Sequence, residues 1–226
     1  MCSRYSLTSP PEAVRNTFGT FNVEEFPPRY NIAPTQPVHV VRNSLKHKKQ
    51  LVLVRWGLIP SWVKDPANFT TLINARAETA TVKPSFRASM RHRRCLVPTD
   101  GFYEWTGEKG AKQPHLIRPA GGGLMAMAGI WEHWLGAEGS ELETMAILTV
   151  AANRTMQKIH DRMPAILGPE MFETWLDCRS GSSEEAARLL VPAQDDLLEV
   201  LAISTAINNP RNEGPGVLQP PRTASN

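Results

Sequence analysis

The sequence predicts an α+β fold in one domain: a mainly antiparallel β-sheet, barrel-like if it closes on itself, with several short peripheral helices. Three observations predict it. Apolar runs bounded by turn residues outnumber the helical patterns. They do not alternate regularly with helices, which argues against a parallel βαβ order. And 226 residues, 41% hydrophobic and 21% charged, suit a single globular domain with a sizeable core.

Taken in chain order, Ser9-Pro10-Pro11-Glu12 reads as a helix start, a cap followed by proline in the first turn, and the helix runs to about Phe18. Val38–Arg42 and Leu51–Trp56 read as strands separated by the basic turn Lys46-His47-Lys48-Lys49. Arg94–Val97, His115–Arg118, Leu124–Ile130, Thr144–Val150 and Leu198–Ser204 read as further strands, with turns at Lys109-Gly110 and Gly121-Gly122-Gly123. Asn153–Ile159 is a short capped helix, and Pro169–Leu176 and Ser183–Leu190 are two more. No repeat or linker divides the chain. The expected domain covers residues 1–210, and the Pro-, Gly- and Asn-rich tail 211–226 is expected to be loop-like or disordered.

Composition narrows the function classes. No apolar run approaches the ~20 residues of a membrane span. The start, Met1-Cys2-Ser3-Arg4-Tyr5, has no apolar signal core, so a cytoplasmic protein with no membrane partner is expected. There Cys2, Cys95 and Cys178 stay as thiols. His92 and Cys95 are spaced loosely like metal ligands, but no second pair follows, and no metal or nucleotide cofactor is expected. A net charge of +3 does not by itself announce a nucleic-acid binder. The two basic runs, Lys46–Lys49 and Arg91–Arg94, each read alone as a solvated turn or face.

Cys2 is the most telling residue. With Met1 removed it presents an α-amine and a thiol on one residue. Such a 1,2-aminothiol condenses with an aldehyde through the amine and closes a thiazolidine through the sulfur. At reference pKa values about a tenth of the amines are neutral and a few per cent of the thiols ionised at pH 7. Chance alone places a cysteine at position 2 in roughly one of 75 chains of this composition, so Cys2 is a lead that needs partners.

Those partners sit in five other segments. They are Tyr30-Asn31-Ile32-Ala33-Pro34, Trp56 to Trp62, Asn74-Ala75-Arg76-Ala77-Glu78, Gly101-Phe102-Tyr103-Glu104-Trp105 and His160-Asp161-Arg162-Met163-Pro164. Together with Met-Cys-x-Arg at residues 1–4 they stand in the order that resembles the SOS-response-associated peptidase family, the abasic-site processing proteins. The resemblance reaches from residue 1 to about 210. It implies binding of single-stranded DNA, removal of the initiator methionine by the protein itself, and a thiazolidine crosslink from residue 2 to abasic sites that shields the lesion during the damage response. A lyase reaction through the Schiff base is chemically open. Replication-associated proteins are possible partners, the protein would be nucleoid-associated when acting on DNA, and a monomer is expected.

The resemblance also assigns roles. Cys2 is the nucleophile. Glu104, set among aromatics, is the proton donor and acceptor, because apolar surroundings favour a protonated carboxyl. Read from the residues alone, Glu104 is instead an exposed residue alternating with buried aromatics. His160 relays a proton near neutral pH, or simply ends a helix. Asn74 orients the amine or the open sugar, or serves as a turn residue. Arg4 and Arg76 are the expected phosphate ligands. Trp62 and Trp105 stack on bases beside the lesion, while Trp56, Trp131, Trp134 and Trp175 belong to the core or its rim. Pro34, Thr149 and the stretch Ser204–Asn209 are weaker assignments to the DNA cleft. Two other classes remain: an N-terminal-cysteine amidohydrolase acting on peptides or small amides, and a non-catalytic single-stranded DNA-binding module.

Overall fold

Strands dominate the computed structural model, which describes residues 2–108 and 110–221. Lys109 of the expected Lys109-Gly110 turn, and residues 222–226, lie outside them. In chain order the elements are β1 (Tyr5–Leu7), α1 (Pro11–Phe18), β2 (Arg29–Ile32), β3 (Pro37–Asn43), β4 (Lys49–Trp56), β5 (Asn74–Arg76), α2 (Ala77–Ala80), α3 (Arg87–His92), β6 (Arg94–Thr99) and β7 (Gly101–Thr106). They continue with β8 (Gln113–Pro119), β9 (Met125–Leu135), β10 (Glu141–Ala151), α4 (Arg154–Gln157), β11 (Arg162–Pro164), β12 (Ile166–Leu167), α5 (Phe172–Leu176), α6 (Ser183–Ala187) and β13 (Leu198–Ala202).

The larger sheet runs β11-β10-β4-β3-β6-β9-β12, and a further β9–β10 pairing closes β3, β4, β6, β9 and β10 into a barrel. Closure removes the sheet edges that would otherwise invite association. It also demands small side chains. A Cβ at Gly129 of β9 would stand 2.9 Å from Cys95 Sγ and 3.0 Å from Val97 Cγ2, so only glycine fits there. The second sheet is β13-β8-β7-β1-β2. All pairings are antiparallel except those of β10 with β4 and β5. The α+β, mainly antiparallel, barrel-containing single domain expected from sequence is therefore the fold observed.

One apolar core joins the two sheets. Trp56 at the end of β4 is fully buried and donates its indole N–H to the Ile73 carbonyl at 3.0 Å. Its ring meets Tyr5 of β1 edge-on, with centroids 5.2 Å apart. Residues 211–221 fold back on the second sheet. Val217 is buried beside Tyr103 and Ile207, and Glu213 accepts the Tyr30 amide at 2.8 Å.

Two local expectations need correction. Ser9 does not cap α1. The N-cap position is Pro10, without a side-chain bond, while Ser9 and Thr8 donate to the Asp100 carboxylate. The carboxylate is the stronger acceptor, and it ties the start of the chain to the β6–β7 turn. Nor is the run Arg91–Arg94 wholly a solvated face. Arg94 is 1% exposed and its guanidinium is spent on backbone carbonyls.

The core also fixes how stability responds to alkali. Burial pushes the pKa of the Cys2 and Cys95 thiols and of the Tyr5 and Tyr103 phenols above their ordinary values. The folded state then keeps protons that the unfolded chain releases. Stability falls as pH rises past the unfolded values, by about 1.4 kcal/mol per pH unit per group that only the unfolded chain ionises, starting near ~8.5 for the thiols. Denaturant midpoints measured between neutral and alkaline pH should decline, and steepen once the phenols join near ~10. A flat profile through that range would contradict the placement of these four side chains.

Candidate functional site

The N-terminal segment reaches its position because β1 is sandwiched. Tyr5 pairs with Ile32 of β2 on one side and Phe102 of β7 on the other, and the Tyr103 amide donates to the Arg4 carbonyl at 2.9 Å. Two of the sequence motifs thus lie in β2 and β7, on either side of β1, the strand that Met-Cys-x-Arg leads into. The other two polar motifs meet on β10. Thr149 lies opposite Arg76 of β5 and opposite Pro164 of β11. The site lies where these two strand sets face each other, with Cys2 between them.

Cys2 is fully buried. Its carbonyl accepts from Asn74 Nδ2 at 2.8 Å, so a side chain from β5, paired on the barrel strand β10, holds the segment that leads into β1. The Asn74 Oδ1 atom is buried with no hydrogen-bond partner among the described residues. It is an acceptor that a donor arriving beside Cys2 would satisfy. The Cys2 thiol is pushed up by burial and further by the negative charge of Glu104. Glu104 is 5% exposed and so lies inside, not on a solvent-facing strand surface. The thiol reactivity expected from free-cysteine values does not hold in this enclosure. A thiolate here needs a proton acceptor at the moment of reaction.

His160 follows α4, whose start is capped by the Asn153 side chain accepting from the Met156 amide at 2.9 Å. Its Nδ1 lies 2.9 Å from the Arg162 amide nitrogen and 2.8 Å from Asp161 Oδ1. An amide N–H can only donate, so in the neutral ring Nδ1 keeps its lone pair and the proton sits on Nε2. The contact with the exposed Asp161 becomes a hydrogen bond only in a protonated ring that gives up the amide donor. A hydrogen bond joins Asn74 to Cys2 and the charge of Glu104 reaches the Cys2 sulfur, while His160 contacts the Arg162 amide at the start of β11, which pairs with β10.

Arg4 and Trp105 form a second group. The guanidinium of Arg4 is 5.8 Å from the Trp105 ring centroid and donates to Asn31 Oδ1 at 2.6 Å and the Ile207 carbonyl at 3.0 Å. Half of the fork is therefore already committed. Trp105 donates its indole N–H to Asn208 Oδ1 at 2.7 Å. With Ser3, Lys112 and Thr205 these residues line an open cavity of about 770 Å³. Arg76 is exposed at the end of β5. Trp62 is 59% exposed and packs edge-on against Phe69 at 6.0 Å, apart from the Arg4–Trp105 group. Pro34 is half-buried in the turn between β2 and β3. Thr149 is fully buried, with its hydroxyl 3.4 Å from the Ala75 carbonyl. Its carbonyl accepts from Arg162 Nη2 at 2.5 Å.

With this arrangement in view, the chain can be set beside known proteins. The family model described as SOS response associated peptidase (SRAP) matches residues 1–210. The chain belongs to the SRAP family. It is 37% identical to the abasic site processing protein YoqW of Bacillus subtilis, covering 97% of this chain and 99% of that one. It is 33% identical to the abasic site processing protein HMCES of Xenopus tropicalis, covering 95% of this chain and 77% of the relative. Among solved structures, a crystal structure of a protein from Bacteroides thetaiotaomicron superposes with a TM-score of 0.84 at 30% identity, covering 97% and 99% of the two chains.

Around this candidate site stand residues whose roles sequence reasoning passed over. Arg162 grips Glu78 through both carboxylate oxygens, at 2.5 and 2.8 Å, and this draws the Glu78 carboxyl below its ordinary range. Both residues were inside the recognised motifs, but nothing in a linear motif says that they pair. Lys112 lies in a polar loop without any motif. Asn31 donates its amide to the Asn209 and Asn212 carbonyls at 3.0 and 2.9 Å. It thereby fastens residues 207–212 beneath Arg4, a role visible only once the chain has folded back. Among the described residues no helix is long and apolar enough to cross a membrane.

Proposed function

We propose that this protein processes abasic sites in single-stranded DNA by covalent capture on Cys2 once Met1 is gone. The observation that carries the reading is the state of Cys2. Its thiol is enclosed, its carbonyl is held by Asn74, and the charge of Glu104 reaches its sulfur. An enclosed residue 2 with a β5 side chain dedicated to its main chain is what a reaction at the chain terminus requires. The abasic processing named for YoqW and HMCES supports the same reading.

Hydrolysis of the Met1–Cys2 amide consumes one water and frees methionine and the amine. The amine adds to the open-chain aldehyde of the abasic sugar, and the carbinolamine loses one water to give the imine. The S–H then adds across C=N: sulfur bonds to carbon, the proton ends on nitrogen, and the thiazolidine closes. Glu104 carries the protons, giving one to the departing hydroxyl and taking one from the thiol. The acceptor Asn74 Oδ1 orients the amine. The Nε2–H of His160 donates toward the sugar oxygen. Arg4 and Arg76 hold flanking phosphates, and Trp105 and Trp62 offer base-stacking faces, each worth about 1–3 kcal/mol per base.

The test is incubation of Met1-free protein with a single-stranded oligonucleotide carrying an abasic site. The wild type should give a species of reduced mobility that survives denaturation, and Cys2→Ala should give none. Equal crosslinking by both proteins, or by neither, overturns the reading. Turnover of an amide substrate without DNA would favour an N-terminal-cysteine amidohydrolase instead. Salt-sensitive binding without any crosslink would leave a DNA-binding module.

A further inference from the structure

The two basic runs of the sequence, 42 or more residues apart in the chain, come together at one groove. His47 from the β3–β4 turn, His92 at the end of α3 and Arg179 from the loop after α5 line it, with Arg42, Arg94 and Asp177. The groove encloses about 270 Å³ and shares no lining residue with the Cys2 site or the Arg4–Trp105 cavity.

Its charge is unbalanced. Arg179 Nη1 donates to His47 Nε2 at 2.6 Å, so two basic side chains hold each other. Neither they nor His92 form an ion pair with a carboxylate among the described residues. Arg42 is offset by Glu143 at 2.8 Å and lies 4.0 Å over the Trp131 ring. The acid on the wall, Asp177, accepts from the Arg179 and Ser180 amides of its own loop at 3.0 Å. Arg94 adds a buried positive charge whose donors all go to neutral carbonyls. Asp177 can offset only one of Arg94 and Arg179. Lys46 and Lys48 stand exposed on the same turn. A concave wall with an excess of positive charge over a low-dielectric floor concentrates an anion. Its size is that of one backbone unit of a nucleic acid, a phosphate with its sugar.

We infer that this groove is a second phosphate site, which holds the backbone of the same DNA strand away from the captured lesion. The inference rests on the DNA reading above and adds a separate anchor to it. A chain of this size has a diameter of about 45 Å, so a strand of about 30 nucleotides can cross both sites while one of about 6 cannot.

The test measures equilibrium binding of intact single strands of both lengths across a salt series, using wild type and Arg179→Glu/His92→Glu. Both positions are exposed, and thermal melts check that the variant folds. The variant should bind the long strand about 10-fold more weakly, with the slope of log affinity against log salt reduced by about one. Its affinity for the short strand, and its crosslinking of a short abasic strand, should match wild type. Unchanged affinity and slope on the long strand overturn the inference. So does loss of binding to a poly-glutamate peptide with DNA binding intact, which would make the groove a protein-docking surface. If wild type and variant both fail to crosslink the short abasic strand, the functional reading falls, while the long-strand comparison still decides the groove.

Discussion

Glu104→Gln is expected to slow crosslink formation by about 10²–10³-fold at neutral pH. Two effects of the substitution oppose each other. Removing the carboxylate takes away a negative charge that raises the Cys2 thiol, so the thiolate becomes more accessible. It also removes the group that passes protons between thiol, hydroxyl and amine. Magnitudes decide the sign. The main cause of the raised thiol is burial, which Gln leaves in place, and the charge of Glu104 ranks second to it. General acid–base catalysis is worth about 10²–10⁴-fold, and both ring closure and water loss need it here. The variant should therefore be slow, and its rate should rise with pH as hydroxide substitutes for the lost base. Single-turnover crosslinking followed across pH separates the alternatives. A variant faster than wild type would show that Glu104 only suppresses the thiolate and carries no proton.

How much of this was legible beforehand depends on the kind of strand. The barrel strands β3, β4, β6, β9 and β10 are long, rich in Val, Ile, Leu, Met and Ala, and flanked by turn residues, so periodicity finds them. The strands that build the site were not read as strands. β1, β5 and β11 have three residues each, and they carry polar groups such as Asn74, Arg76 and Arg162 where a pattern expects apolar ones. Their stability comes from neighbours: β5 and β11 are paired on β10, and β1 is held between β2 and β7. Short strands held by tertiary pairing leave little trace in propensity. Recognisable motifs marked these segments, yet only the fold shows that Asn74 grips Cys2 and that Glu78 clasps Arg162. Glu104 was misplaced by periodicity for a related reason. β7 is covered on both faces, so alternation predicts a solvent face that does not exist.

Arg94→Met is expected to destabilise the fold by about 3–5 kcal/mol, the largest loss from any single charged side chain. The side chain is 1% exposed and, among the described residues, its hydrogen bonds all go to backbone carbonyls and none to a carboxylate. Its charge is met by helix ends instead. Nη1 donates to the Met90 carbonyl at 2.8 Å and the Arg91 carbonyl at 3.4 Å, at the end of α3. Nε and Nη2 donate to the Trp175 and Asp177 carbonyls at 2.6 and 2.5 Å, at the end of α5. The last carbonyls of a helix have no partner within it, and here one fork serves two helices. The guanidinium also lies 5.7 Å from the Trp175 ring, whose indole N–H holds the Cys95 carbonyl of β6 at 2.8 Å. Methionine replaces the apolar stem and reaches about as far as Nε, but it leaves these carbonyls without a donor, and each such loss costs about 1–3 kcal/mol before relaxation. Arg94→Lys keeps the charge and loses the fork, so roughly half the penalty should remain. Urea unfolding at neutral pH reads both variants. A methionine variant within about 1 kcal/mol of wild type would mean that water replaces the guanidinium, and that the two helix ends are not joined through it.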